Sequence, residues 1–299
     1  MNGEMNASAW LARLEAGVRF LPDKPEETAE STLRALWLAA SGTPVSAEAA
    51  METAVPELDD AQQRTLEILV QKRIDGVPLA HLTERQRFMG VEMLAGPDAL
   101  IPRKETEILA ACVIDRLQRI EQTVPAPLII DVCTGAGNLP IVYARHTARS
   151  RIHAADLCPR AVALARRNVD FTGHADRISL CEGDLLAPFE NDDFLGKVDL
   201  LSCNPPYISS GKVSAMAAEI AEHEPSLAFD GGPFGIAILQ RLIQEAPRFL
   251  KPGGWLIFEM GLGQGEIMAR RLAGNDDFVQ VETCTDEQGA IRAIAAQRA

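Results

Sequence analysis

Apolar residues recur at helical spacing through the first part of the chain. Trp10, Leu11, Leu14, Val18 and Leu21 form one stripe, and Leu33, Leu36, Trp37 and Ala40 a second. A third runs from Asp59 through Leu66, Leu69, Val70 and Ile74, with Gly76 as its stop, and Pro22, Pro25 and Pro44 punctuate the connections. This pattern predicts an all-helical domain over residues 1–80, a small bundle of the kind that docks a partner or forms a lid. At Val77 the pattern changes. Val77-Pro78-Leu79 reads as a turn and Phe88–Leu94 as short strands, so residues 81–105 are expected to be a β-hairpin-like linker. Ile101–Glu107 then leads into a helix ending near Ile120, with the acidic first turn that the helix macrodipole favours.

From there to the end, over residues 106–299, strands and helices alternate. Strands are expected at Leu128–Val132, Ile152–Asp156, Ile178–Cys181, Val198–Cys203, Trp255–Glu259, Val279–Thr283 and near Ile291–Ala295. Helices are expected at about Leu139–Thr147, Pro159–Asp170, Gly235–Leu250 and Gly265–Ala273. The alternation implies an α/β fold with a seven-stranded, mostly parallel, Rossmann-like sheet, and two late strands without a helix between them imply an antiparallel edge.

Composition narrows the function. The 299 residues carry 29 Lys+Arg against 42 Asp+Glu, a formal net charge of −13. A protein that grips nucleic acid through its phosphates needs a basic surface, so no direct nucleic-acid partner is expected. No apolar run reaches the roughly 18 residues of a membrane span, and no basic-then-apolar leader opens the chain, which points to a cytoplasmic protein with no membrane partner. Cys112, Cys133, Cys158, Cys181, Cys203 and Cys284 contain no C-x-x-C pair and read as small core residues, neither disulfides nor zinc ligands. The five histidines show no ligand spacing, so no metal is expected.

The most unusual stretch is Asn204-Pro205-Pro206-Tyr207, directly after the apolar run Val198–Cys203. It falls past the carboxyl end of a strand, where open α/β sheets place ligands. Neither proline has an N–H, and Pro206 keeps Pro205 extended. Asn204 adds a side-chain carbonyl and Tyr207 a flat ring with a polar tip. Together they make a rigid, acceptor-rich slot for a planar group bearing an NH2.

A second constellation begins at the first sheet strand. Cys133-Thr134-Gly135-Ala136-Gly137 follows it and opens a helix, and Asp156 ends the next strand 19 residues beyond Gly137. Glycines let backbone approach a ligand, and an acid at that spacing meets ribose hydroxyls in nucleotide-binding sheets. The dinucleotide fingerprint lacks its third glycine, because Pro140 stands there, and a lysine-bearing phosphate loop is absent. S-adenosylmethionine, a phosphate-free nucleoside carrying a sulfonium cation, fits better. Asp184 and Leu185, past the third strand, fall where the adenine would lie.

These residues resemble the N5-glutamine methyltransferases that act on the Gly-Gly-Gln glutamine of peptide chain release factors. The resemblance runs from about Gly76 to the end, in blocks at Gly76–Thr83, Ile101–Glu107, Asp131–Gly137, Gly183-Asp184, Asn204–Ile208, His223–Pro225 and Lys251–Trp255. It implies a class I methyltransferase sheet behind a helical substrate-recognition domain, acting as a monomer on a protein. By matched position, Cys133–Gly137 would contact the methionine part of the cofactor, Asp156 its ribose, and Asp184 and Leu185 its adenine. The Asn204 side-chain oxygen, which also faces the cofactor, and the Pro205 carbonyl would accept the two N–H bonds of the substrate amide. Pro206 would complete the slot, and Tyr207 would pack on the amide plane.

The chain departs from the family at Lys104, where proline is usual, and at Cys133, where glycine is usual. The departures leave cofactor and reaction type intact but keep open a paralogue acting on a ribosomal or other protein or a small amide. Two further alternatives are a nucleobase amino methyltransferase, since a flipped adenine presents the same NH2 to the same slot, and a non-catalytic cofactor-binding protein. Arg103 and Glu105 either line the cofactor entrance or form a solvated helix start.

Overall fold

The computed structural model describes residues 2–213 and 216–299, with side chains from residue 7 onward. Its first part is helical: α1 (Asn2–Gly17), α2 (Ala29–Ala40), α3 (Ala47–Glu52), α4 (Asp60–Ile74) and the single turn α5 (Leu79–Thr83). The stripes seen in the sequence meet in one core, in which Trp10, Leu14, Leu36, Leu38, Leu66 and Val70 are buried together. Trp10 stands edge-on to Trp37 with ring centroids 5.9 Å apart. Two helix starts are fixed by reciprocal caps, Thr28 with Ser31 and Asp59 with Gln62.

A two-stranded antiparallel hairpin follows, β1 (Arg85–Phe88) and β2 (Val91–Leu94), turning at Met89 and Gly90, both in the left-handed region. The first strand therefore lies earlier than the apolar pattern suggested. Its inward position Gln86 is polar, which hides the alternation. Helix α6 (Thr106–Ile120) leads to the sheet.

The sheet is built from β3 (Leu128–Val132), α7 (Asn138–His146), β4 (Arg151–Asp156), α8 (Pro159–Phe171), β5 (Ile178–Glu182), β6 (Val198–Cys203), the short helices α9 (Ser210–Val213) and α10 (Ala218–His223), α11 (Ala237–Glu245), β7 (Leu250–Glu259), α12 (Gly265–Ala273), β8 (Phe278–Thr285) and β9 (Ile291–Arg298). Strand order is β5-β4-β3-β6-β7-β9-β8, parallel except for β9, which runs antiparallel to both neighbours. The expected fold class is thus observed, with two apolar layers: Ile130, Val132, Leu201 and Phe258 face one, Ile129, Ile152, Leu200 and Ile257 the other. The helix expected over residues 235–250 is shorter. It ends at Glu245 and gives way to a tight turn, Ala246–Arg248, around Pro247, whose ring cannot continue the hydrogen-bond ladder.

One expectation is overturned. Cys112 of α6 and Cys284 of β8 are joined as a disulfide across 172 residues of sequence, so not every cysteine is a free core thiol. Tertiary packing of α6 on the sheet edge brings them together, and no short spacing announces it. The other four cysteines are free. Among the described residues no helix is long and apolar enough to cross a membrane.

Candidate active site

The strand order reverses at β3, whose neighbours are β4 and β6. A crevice opens past the carboxyl ends of strands at such a point. Val132 and Cys203 are register partners at the ends of β3 and β6, so the loop from Cys133 and the motif from Asn204 leave the sheet side by side. The two constellations, 67 residues apart in sequence terms between Gly137 and Asn204, are neighbours in space. One cleft is lined by Cys133, Thr134, Gly135 and Ala136 on its floor, by Asp156, Asp184 and Leu185 on one side, and by Thr106, Asn204 and Pro206 on the other.

The floor loop is shaped by left-handed residues. Cys133 has φ 57°, Gly135 55° and Gly137 81°. Gly137 precedes α7, and a Cβ there would lie 3.1 Å from the Ala165 Cβ, so glycine lets α7 and α8 meet. The left-handed backbone at Cys133 explains why glycine suits this position. A side chain there costs about 1–2 kcal/mol of local strain.

Acids surround the cleft. The Asp156 carboxylate accepts the Gly135 N–H at 2.8 Å and the Cys158 N–H at 2.9 Å, one on each oxygen. Each oxygen keeps a further lone pair for a ligand. Burial raises the Asp156 pKa, against those two bonds. Asp131, at the end of β3, is fully buried; it accepts the Ser202 hydroxyl at 2.6 Å on one oxygen and nothing on the other, and burial pushes its pKa up to about 7. Asp184 pairs with Arg241 at 3.0 Å on the half-exposed rim, and the buried Leu185 adopts φ 48° beside it.

This environment fits S-adenosylmethionine. Arg103 is the basic residue on the lining, and its charge is matched by Glu224, while Asp98, Asp156, Asp184 and Asp230 are acidic. A pyrophosphate would meet repulsion there, whereas a cation-bearing nucleoside meets attraction. Arg103 is thus on the cleft wall and buried, not part of a solvated helix start. Glu105 precedes α6 and does not line the cleft. Lys104 turns outward to Glu48 and Glu107, away from the chemistry.

Asn204 is held by one directed bond, in which its Nδ2 donates to the Thr106 hydroxyl at 3.1 Å. That leaves Oδ1 as an acceptor. Pro205 is buried and Pro206 reaches the cleft. The Tyr207 hydroxyl donates to Glu259 at 3.1 Å, and the ring lies against Gly261, where a Cβ would approach to 3.1 Å. The Tyr207 carbonyl accepts from Gln264 Nε2 at 3.1 Å. Burial and the nearby Glu259 push the Tyr207 pKa far up, so the phenol stays protonated. Sequence reasoning missed Thr106 and Glu259. Both looked like element ends, and only the register of β6 with β7 places Glu259 beneath the motif.

Beyond the motif, Pro225, Leu227, Ala228 and Asp230 form the outer wall. This segment is tied to the helical part through buried charges. Glu219 accepts from Lys24 and Arg73, each at 2.8 Å, Arg73 also binds Glu27 at 2.8 Å, and Glu224 binds Arg103 and the Ile101 N–H.

Residues 110–237 match the family model described as "Methyltransferase small domain". The chain is 34% identical to the release factor glutamine methyltransferase of Moorella thermoacetica over 77% of this chain and 78% of that one. It is 32% identical to that of Geobacter sulfurreducens over 77% and 76%, and 36% identical to that of Streptomyces coelicolor over 66% and 67%. Among solved structures, a human methyltransferase 10 domain containing protein matches with a TM-score of 0.50 at 16% identity, covering 69% of this chain and 88% of that one. The human Mettl16 catalytic domain, solved with an RNA hairpin, matches with a TM-score of 0.51 at 16% identity over 81% and 83%. These two likenesses concern the fold. With the sheet, the cleft and the Asn-Pro-Pro-Tyr motif in place, the sequence relatives decide the family: the chain belongs to the release factor glutamine methyltransferases.

Proposed function

We propose that this protein transfers a methyl group from S-adenosylmethionine to the side-chain amide nitrogen of a protein glutamine, the Gly-Gly-Gln glutamine of a peptide chain release factor. The observation that carries this reading is the Asn204–Thr106 hydrogen bond, which commits the amide NH2 and leaves Oδ1 as an acceptor next to the Cys133–Gly137 loop.

When bound, S-adenosylmethionine supplies a methyl group on a sulfonium centre. Cys133–Gly137 would hold its methionine part, Asp156 the ribose, and Asp184 with Leu185 the adenine. An amide nitrogen is a weak nucleophile because its lone pair is delocalised into the carbonyl. Asn204 Oδ1 and the Pro205 carbonyl would accept its two N–H bonds, aim the lone pair at the methyl and stabilise positive charge as it develops. The new N–C bond forms as the S–C bond breaks, and the nitrogen then releases one proton to water. No strong base is needed, because that proton becomes acidic only once the methyl has moved. The Tyr207 ring would pack on the amide plane, and the helical region would grip the protein substrate.

The test is peptide mass spectrometry of a purified release factor after incubation with this protein and S-adenosylmethionine. A gain of one CH2 on the Gly-Gly-Gln glutamine is expected, lost with Asn204→Ala. No gain on the release factor with cofactor bound moves the substrate to another protein, and ribosomal proteins are then screened for methyl acceptors. The nucleobase reading has little support, since a net charge of −13 opposes a phosphate backbone.

A further inference from the structure

The Asn-Pro-Pro-Tyr stretch cannot anchor its own middle. Pro205 and Pro206 bring no N–H, so the backbone there can be gripped from outside only through carbonyls. One side chain outside the motif supplies a donor. Gln264 stands just ahead of α12, in the turn that follows β7. Its Nε2 donates to the Tyr207 carbonyl at 3.1 Å and to the Gly235 carbonyl at 3.3 Å, and its Oε1 accepts the Gly261 N–H at 2.9 Å. Three loops therefore meet on one amide. Its orientation follows from its partners, because the flipped amide would set its oxygen against two carbonyls and its NH2 against an N–H.

The fit around this amide is close. A Cβ on Gly235 would lie 3.0 Å from Nε2, and one on Gly261 would lie 3.3 Å from Oε1 and 3.1 Å from the Tyr207 ring. Glycine at both positions lets the amide and the ring seat together. Tyr207 is consequently held at three points: its hydroxyl by Glu259, its ring by Gly261 and its carbonyl by Gln264. Gln264 secures two of the three, since it also holds the Gly261 backbone.

The consequence reaches the reacting centre. Each of two successive prolines has a fixed φ, so the backbone from Pro205 to Tyr207 moves as a stiff unit. A shift at the Tyr207 carbonyl is passed to the Pro205 carbonyl two residues back, which would accept a substrate N–H. We propose that Gln264 is a positioning residue for methyl transfer, setting the Pro205 carbonyl and the Tyr207 ring against the substrate amide. This inference rests on the methyl-transfer reading of the slot. Gln264 does not line the cofactor cleft, so its effect falls on the amide and not on S-adenosylmethionine.

The experiment measures kcat and KM for methylation of a release factor, after wild-type turnover has been shown. Absence of wild-type turnover would count against the functional reading, and the comparisons below concern Gln264 alone. Gln264→Met keeps the reach of the side chain and removes all three bonds. Its kcat should fall about tenfold or more, because small displacements at a reacting geometry are that costly. KM for S-adenosylmethionine should stay within about threefold, since the cofactor does not touch Gln264 in this scheme. Gln264→Glu keeps an acceptor for the Gly261 N–H, loses both donors and should show a similar fall in kcat. The double variant with Asn204→Ala gives the readout that a purely structural role would not. Residues acting as a unit on one transition state are not additive, so Gln264→Met should slow the Asn204→Ala enzyme by no more than about threefold. Loss of folded protein would instead take the same factor from either background. A Gln264→Met kcat less than about tenfold below wild type, or a further loss beyond about threefold in the double variant, overturns the proposal. If Gln264→Met does not fold, Gln264→Glu takes its place in both comparisons.

Discussion

Nδ2 of Asn204 lies 3.1 Å from the hydroxyl oxygen of Thr106, a residue 98 positions earlier at the first turn of α6. A helix outside the motif thereby holds the asparagine side chain, with Nδ2 donating to the hydroxyl and Oδ1 left as an acceptor.

Asn204→Ala should therefore keep the fold and lose the chemistry. Removing one preorganised acceptor of this kind raises the barrier by about 2.7–4 kcal/mol, or roughly 10²–10³ in kcat. Cofactor affinity, read by calorimetry, should change far less. A kcat retained within a few-fold would remove Asn204 from the slot.

Much of this was legible in the sequence. The strand runs Leu128–Val132 and Val198–Cys203 are observed with the expected bounds, because buried parallel strands are apolar on both faces. Asn204, Pro206, Cys133–Ala136, Asp156, Asp184 and Leu185 line one cleft because their loops all follow carboxyl ends of neighbouring strands, whereas Gly137, Pro205 and Tyr207 lie behind that lining. Thr106, Glu259 and the Cys112–Cys284 disulfide were not legible. Each depends on which elements pack together, and a threonine at a helix start or a glutamate at a strand end has no local signature. The wall residues Leu227, Ala228 and Asp230 escaped for the same reason, since the short helix Ala218–His223 and Glu224 ahead of them are held by distant charges and not by a periodic apolar face.

Gly235 offers a test of how rigid the motif must be. It has φ 69°, and a Cβ there would lie 2.2 Å from the Tyr207 carbonyl oxygen and 3.0 Å from Gln264 Nε2. Gly235→Ala must push the motif backbone and break the Gln264 bond to Tyr207. Displacement of about 1 Å at a reacting geometry costs on the order of 10²-fold. The expected result is a large fall in kcat with a smaller change in unfolding temperature, and an unchanged kcat would show that Tyr207 tolerates movement.

Arg103 and Glu224 make the buried pair that joins the cleft wall to the residues before α6. The Glu224 side chain is 0% exposed and its two oxygens take the Arg103 guanidinium and the Ile101 N–H. Arg103→Ala leaves that carboxylate buried without its charge partner, which should destabilise the fold by about 3–5 kcal/mol in chemical denaturation. Arg103→Met with Glu224→Gln removes both charges and should cost less than Arg103→Ala alone. If the double variant is the less stable, the pair is a source of net stability and not a compensated burden.

His81 gives the fold a dependence on acid. Burial first, then the charges of Lys24, His223 and Arg103, hold its pKa down to about 4 against an ordinary 6.5, and its Nε2 has no hydrogen-bond partner. The folded state therefore keeps His81 neutral through a range in which the unfolded chain binds a proton. Between those two values the unfolded state holds more protons, so stability must rise with pH and fall as pH drops from about 6.5 toward 4. His81→Gln carries no proton in either state and should flatten that part of the profile while leaving stability at pH 8 nearly unchanged. Denaturant midpoints measured from pH 4.5 to 8 for both proteins check this. Equal slopes across that window would mean that other groups, and not His81, set the acid sensitivity of the helical region.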